Sequence, residues 1–358
     1  MSLIAHRPLP TYERLAEEGF EVLSEPEARQ QDIRELHIGL LNMMPDAALE
    51  ATERQFFRLV ASCNRIVQFY LHPFSIDGVP RGERGRAHIE RYYTPFEQIR
   101  EQGLDALIIS GANVAGSTLP QEPFWPELVR VFDWAREHVT SVLCSCLATH
   151  ALVEHEFGIA RKPLGFKRWG VFEHRVVDRT HPLVNDINTR LDVPHSRFND
   201  ISRADFDGCG LHVLIESEVA GAHLAVSADG LRVVYFQGHP EYDSQSLLKE
   251  YKREITRWHT GERPDYPPLP ENYFDETAQA VLGAYRGVVE RSRAAGEPLP
   301  TMPETDIVDF LDNTWRDSAK AVVNNWLGKV YQVTDANRHS PFMPGIDPAD
   351  PLGWHGQG

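Results

Sequence analysis

The amino-acid sequence predicts an α/β protein built on a mostly parallel sheet flanked by helices. Two stretches carry that prediction. Residues 138–158, HVTSVLCSCLATHALVEHEFG, read as a short buried strand over 139–144, a sharp corner at 145–147 and a helix over 148–157. A strand that turns at once into a helix places its corner residue at the carboxyl edge of a parallel sheet, beside the first free N–H groups of the helix. Residues 231–243, LRVVYFQGHPEYD, run as a continuous apolar strand over 231–236 into a Gly-His-Pro-Glu corner.

The other elements follow the same alternation. Residues 1–34 are polar and proline-bearing, end in the charged EPEARQQDIR, and read as an arm on the outside of the domain, where it could meet a second subunit. A first strand over 36–41 leads through a turn at 42–46 to a helix over 47–61 with apolar residues at helical spacing. A second strand is expected over 66–71, an irregular excursion over 77–95 and a third strand over 106–110. Arg81, Arg84, Arg86 and Arg91 are the one basic cluster, read as a solvated loop or as a hold on the phosphates of a nucleotide-like ligand. A helix over 244–258 follows the His-Pro-Glu corner. Residues 336–358, rich in Pro, Gly, His and Asp, read as a flexible tail.

Composition sets the class. A chain of 358 residues with 42% hydrophobic content buries a substantial core, as one large α/β domain or two small ones. A net charge of −16 argues against nucleic acid or an anionic membrane as the main partner. No apolar run reaches the roughly eighteen residues of a membrane span, and the N-terminus lacks the basic-then-apolar order of a signal peptide. Four cysteines, Cys63, Cys144, Cys146 and Cys209, lack framework spacing and suit a reducing cytoplasm.

Cys146 sits at the first corner. A helix N-terminus favours its thiolate and offers N–H groups to an oxyanion, although a small buried cysteine fits the same stretch. His239 and Glu241 are two apart in extended backbone and leave on one side. A carboxylate there can orient an imidazole towards a thiol, the arrangement of a covalent acyl-transfer site. No metal is expected. His150 and His155 are five apart and point away from each other around the helix, which fails the spacing of a helical metal pair. His150 is expected to border the pocket and His155 to lie on the surface, while Cys144 reads as core.

Cys146 at an elbow with His239-Pro240-Glu241 after a later strand resembles the class I glutamine amidotransferase-like fold. The wider sequence resembles the homoserine O-succinyltransferase family of methionine biosynthesis. The resemblance runs through LNMMP (41–45), TERQFFRL (52–59), DALIISGA (105–112), HVTSVLCSC (138–146), GVFEHRV (170–176), VPHSRFND (193–200), FQGHPEYDSQ (236–245), NYF (272–274) and TWRDSAKAVVNNWLGKVYQVT (314–334). It covers most of 35–335, read as a single acyltransferase domain in which 275–313 form a helical insertion before a closing helical extension.

The resemblance implies a cysteine acyl-thioester enzyme with Cys146, His239 and Glu241 as its catalytic set, succinyl-CoA as co-substrate, L-homoserine as acceptor, no bound cofactor, and a homodimer. It places Gly111, Ala112 and Leu147 at the oxyanion hole and Ala115 in the acyl pocket. The family position at Ala115 holds glycine in succinyl users and glutamate in acetyl users; alanine leaves room for the longer chain and lacks the carboxylate. Lys167, Ser196, Glu250 and Arg253 match positions that contact the acceptor, with Arg253 expected on its carboxylate and Glu250 on its ammonium. Ala115 is neither family residue, which leaves acetyl-CoA open as donor, and Asp46 and Ala47 stand where many members have two lysines, which leaves serine or another hydroxy amino acid open as acceptor. A glutamine amidotransferase-like hydrolase with the same residues, or a non-catalytic binding relative, is the alternative class.

Overall fold

The computed structural model describes residues 2–31, 33–63 and 67–354. Its strands are β1 (Ser2–Ala5), β2 (Val22–Ser24), β3 (Glu35–Leu41), β4 (Gln68–Phe74), β5 (Ala106–Ile109), β6 (Ser141–Ser145), β7 (Lys162–Val176), β8 (Arg190–Asp200), β9 (His212–Ser217), β10 (Gly221–Val226) and β11 (Val233–Phe236). They form one 11-stranded sheet in the order β2-β1-β4-β3-β5-β6-β11-β10-β9-β7-β8. Pairing is parallel from β2 through β11 and antiparallel from β11 through β8.

The period of two along the central strands divides the core between the two faces. Ala106 and Ile108 of β5 join Leu36, Ile38, Leu40, Phe57 and Trp326 on one face. Leu107 and Ile109 join Leu41, Leu128, Phe132, Ala148 and Ala151 on the other. The first face is covered by the helices Asp46–Ala61 and Arg316–Val333, the second by Trp125–His138 and Leu147–Phe157. Trp326 also donates its indole N–H to Ser141 Oγ at 2.7 Å, tying the closing helix to the strand that leads to Cys146.

Three expectations meet a different arrangement. The described residues before β3 are built into the domain: β1 pairs with β4, and Leu3, Leu9, Tyr12 and Leu15 enter the main core. Their polar composition hides this because only one side of the short helix Pro10–Glu17 is apolar. The stretch 77–95 holds the helix Glu83–Tyr92, whose N-terminus is capped from a distance. Asp46 Oδ2 accepts from Gly82 N at 2.8 Å and from Gly85 N at 3.3 Å. A cap supplied from elsewhere in the chain has no local signal. The segment 336–354 has no helix or strand yet lies against the body, with Phe342, Ile346 and Leu352 on the main core and Thr140 Oγ1 bonded to Pro341 O.

The strand expected from residue 66 begins outside the described residues; β4 runs from Gln68 to Phe74. The helix expected within 275–313 is Glu276–Ala295, and Leu282, Tyr285 and Val289 pack with Leu247, Tyr251 and Ile255 of the helix Ser246–His259. Among the described residues no helix is long and apolar enough to cross a membrane.

Candidate active site

β6 lies between β5 and β11, parallel to both, so its carboxyl end is held from two sides. The helix Leu147–Phe157 starts at once, which leaves Cys146 to make the corner alone at φ 52°, ψ −107°. A side chain in that region costs about 1–3 kcal/mol and persists only where its surroundings enforce it. They do here. Cys146 N donates to Phe236 O at 2.8 Å, and Thr149 Oγ1 reaches both Cys144 O at 3.0 Å and Phe236 O at 2.8 Å. Cys146 is half-buried, whereas Cys144 is fully buried and burial raises its thiol pKa well above the usual value.

The second corner is fixed by a knot of hydrogen bonds. Gln237 accepts at Oε1 from Ile201 N at 2.9 Å and donates from Nε2 to Ile201 O at 2.9 Å and Ala222 O at 2.8 Å. His150 Nε2 meets the same Oε1 at 2.9 Å. The expected pocket-lining His150 is therefore a buried pin between elbow helix and β11, and burial lowers its pKa to about 3. Gly238 has no room for a side chain: an added Cβ would lie 2.5 Å from Val193 Cγ1 and 2.9 Å from His195 Cε1. His239 N then donates to Pro194 O at 2.8 Å.

These two corners bring the expected residues together. His239 Nδ1 donates to Glu241 Oε1 at 2.8 Å, and the Cys146 sulfur is near enough to the imidazole to favour its charged form. Ser145 Oγ donates to the same Glu241 oxygen at 3.3 Å, and the Tyr242 ring stacks on the imidazole at 4.2 Å between centroids. Burial opposes charge on His239, but the Glu241 carboxylate and then the Cys146 sulfur outweigh it and hold the pKa well above the ordinary histidine value. A base raised in this way is held as imidazolium, with a proton to give to a leaving group. Tyr242 and Ser145 lie within the quoted motifs, yet only the folded corner reveals their contacts.

Gly111 continues β5 into the loop above the sulfur. A Cβ there would be 3.8 Å from Cys146 Cβ, 4.0 Å from Leu147 N and 3.7 Å from Met44 Sδ, so its backbone adjoins the first N–H of the elbow helix. The loop beyond Ala112 is fastened by Glu122, whose Oε1 accepts from Ala115 N at 2.8 Å and Gly116 N at 2.5 Å. Glu122 was not foreseen; its partners are the only sign of its role.

Glu250 is buried and bonded at both oxygens. Oε1 accepts from Tyr242 OH at 2.6 Å, and Oε2 from Ser196 Oγ at 2.6 Å and Lys167 Nζ at 3.0 Å. Burial pushes its carboxyl pKa up, but Lys167, Ser196 and Tyr242 together hold it below the usual range. Lys167 also lies 3.9 Å from the Trp169 ring centroid. Through Tyr242 this cluster touches His239. Arg253 is exposed on the same helix and is not part of it.

The basic cluster resolves into separate contacts. Arg81 is half-buried, bonds to Met44 O, donates to Asn42 O at 2.9 Å, and pairs with Asp46 at 3.6 Å. Arg84 pairs with Glu50 at 2.6 Å, Arg86 bonds to Arg81 O, and Arg91 lies over Tyr92. His155 is half-buried against Asp133 at 3.0 Å. Among the described residues no group of three or more His, Cys, Asp or Glu is arranged to hold a metal.

A family model described as homoserine O-succinyltransferase matches residues 2–336. A homoserine O-succinyltransferase from Methylococcus capsulatus is 63% identical over 99% of this chain and 99% of its own. One from Methylobacter tundripaludum is 61% identical over 99% of this chain and 100% of its own. Among solved structures, a glutamine amido transferase from Methylobacillus flagellatus aligns with a TM-score of 0.47 at 15% identity, over 83% of this chain and 95% of that one. On full-length identity to its relatives, the chain belongs to the homoserine O-succinyltransferase family and is an enzyme.

Proposed function

We propose that the enzyme transfers a succinyl group from succinyl-CoA to the hydroxyl of L-homoserine through a thioester on Cys146, in the route to methionine. The observation that carries this reading is the Cys146–His239–Glu241 set at the elbow of a chain of this family. The Cys146 thiolate attacks the thioester carbonyl of the acyl donor, and its oxygen takes the negative charge beside Leu147 N–H and the Gly111-Ala112 backbone. The carbon–sulfur bond to coenzyme A breaks, and the departing thiolate takes the proton of the His239 imidazolium.

Neutral His239 then removes the proton of the acceptor hydroxyl as its oxygen attacks the acyl-enzyme carbonyl. The bond to Cys146 breaks, the sulfur leaves as thiolate, and the imidazolium is restored against Glu241. The acceptor would sit beside Glu250, Ser196 and Lys167, near His239, on whose imidazole the ring of Tyr242 stacks while its hydroxyl donates to Glu250. A buried carboxylate already holding an ammonium from Lys167 suits the ammonium of an amino acid. Exposed Arg253 would have to swing towards that cluster to reach the carboxylate. At Ala115 the side chain carries no carboxylate to repel a succinyl group.

Intact-protein mass spectrometry tests the reading. The enzyme is mixed with succinyl-CoA or acetyl-CoA and chased with homoserine or serine. A succinyl adduct on Cys146, discharged by homoserine and absent in C146A, is the expected result. An acetyl adduct alone overturns the donor; discharge only by serine overturns the acceptor. Glutamine hydrolysis without any adduct points to an amidotransferase-like hydrolase.

A further inference from the structure

Arg161 is a charged side chain beside the candidate site that no motif of the sequence singles out. It lies just past Gly158, the left-handed cap of the elbow helix, and directly before β7. The chain has doubled back at that point. Lys162 pairs with Asp200, the next residue Ile201 donates to Gln237, and Gln237 holds His150 at the end of the first turn of the elbow helix. The start of β7 is thereby returned to the level of the nucleophile.

The electrostatic surroundings agree with that placement. Arg161 is half-buried, and burial lowers its pKa, opposed in turn by the Cys146 sulfur, Glu154 and Glu122. Among the described residues its guanidinium forms no hydrogen bond or ion pair. A half-buried cation whose neighbouring carboxylates do not pair with it carries a desolvation cost that a directly bonded anionic partner offsets. Glu122 is near but committed to Ala115 N and Gly116 N, the loop that the acyl chain must pass.

Resting on the acyl-transfer reading above, we propose that Arg161 receives the distal carboxylate of the acyl group and sets the preference for a dicarboxylic acyl donor. The guanidinium fork matches a carboxylate in two parallel hydrogen bonds. The attacked carbonyl sits at Cys146, and the four-carbon chain runs under the Ala115-Gly116 loop towards Arg161. The loop then needs only a small residue at 115, while the attraction comes from the start of β7.

The test compares succinyl-CoA with butyryl-CoA, which has the same chain length and no carboxylate. The initial rate of adduct formation on Cys146 is measured by quenched mass spectrometry for the full-length wild type and Arg161→Gln. The wild type should favour succinyl-CoA, and R161Q should lose roughly 10–100-fold with that donor while losing far less with butyryl-CoA. Equal loss with both donors, as expected if Arg161 only supports the Glu122 loop, overturns the proposal, as does an unchanged preference. Arg161→Met, which keeps the packing stem, carries the same criterion if R161Q does not fold. A wild type that takes no acyl adduct from either donor sinks the acyl-transfer reading itself, and this inference with it.

Discussion

Replacing Glu241 with glutamine separates charge from shape at the centre of the site. Oε1 accepts from His239 at 2.8 Å and from Ser145 at 3.3 Å, while Oε2 is buried with no hydrogen-bond partner among the described residues. The glutamine carbonyl can take the place of Oε1 and its NH2 that of Oε2 without opposing a donor. The loss is therefore the charge of one charge-assisted hydrogen bond, about 1.5–3 kcal/mol. At 1.36 kcal/mol per unit, the pKa of His239 should fall by about 1–2 units. Acylation of Cys146 should slow by roughly 10–100-fold near neutral pH. The assay is the pH dependence of iodoacetamide labelling, mapped to Cys146 by peptide mass spectrometry and set beside the acylation rate. In E241Q the upper limb of the profile should move to lower pH as the imidazolium is lost earlier. An unmoved profile with an unslowed rate, in a variant that melts like the wild type, would falsify the role given to Glu241.

Cys146→Gly removes a side chain held at φ 52°, and should raise stability by about 1 kcal/mol while abolishing the adduct; calorimetry showing a lower melting temperature would count against strain at the elbow. Asp46→Ala uncaps the helix Glu83–Tyr92 and leaves Arg81 without its ion pair. It should cost about 1–2 kcal/mol in urea unfolding, and a neutral result would show that the cap is dispensable. Acid should destabilise the fold. Burial lowers the folded-state pKa of His150 to about 3 and of His174 and His181 to about 4. The unfolded chain therefore binds protons that the folded chain refuses, and stability present above about pH 6.5 falls as pH drops towards those values, by up to about 1.4 kcal/mol per pH unit for each histidine. Urea midpoints flat between pH 7 and 5 would refute this.

The legibility of the site follows the range of its contacts. Cys146 depends on a strand and a helix that adjoin in sequence, and His239 with Glu241 on a spacing of two. Both are local geometry, so both corners were readable. What joins them is the register Phe236↔Ser145 between β11 and β6, which the alternation of strands and helices allows but does not specify. Glu122 and Arg161 were silent because neither belongs to a local pattern. The first is recognised by backbone N–H groups it accepts, the second by a chain that doubles back through Gln237. Lys167, Ser196 and Glu250 were separable from surface residues only by resemblance, since their hydrogen bonds span 83 and 54 positions.

Asp46 shows that a departure from a family pattern carries more than its charge. An acid in place of a lysine beside the LNMMP turn suggested altered acceptor chemistry. In the fold its carboxylate faces away from that question: it caps the helix Glu83–Tyr92 and pairs with Arg81. Arg81 in turn grips the carbonyls of Met44 and Asn42, and Met44 is the side chain that lies over Gly111, next to Cys146. The acid thus reaches the site through a relay of contacts, as a support for the turn. Its removal should then lower the rate with every acceptor alike, whereas an acceptor-binding role would change one KM selectively. Steady-state kinetics of D46A with homoserine and serine separate the two, and a selective change in the homoserine KM would return Asp46 to the substrate.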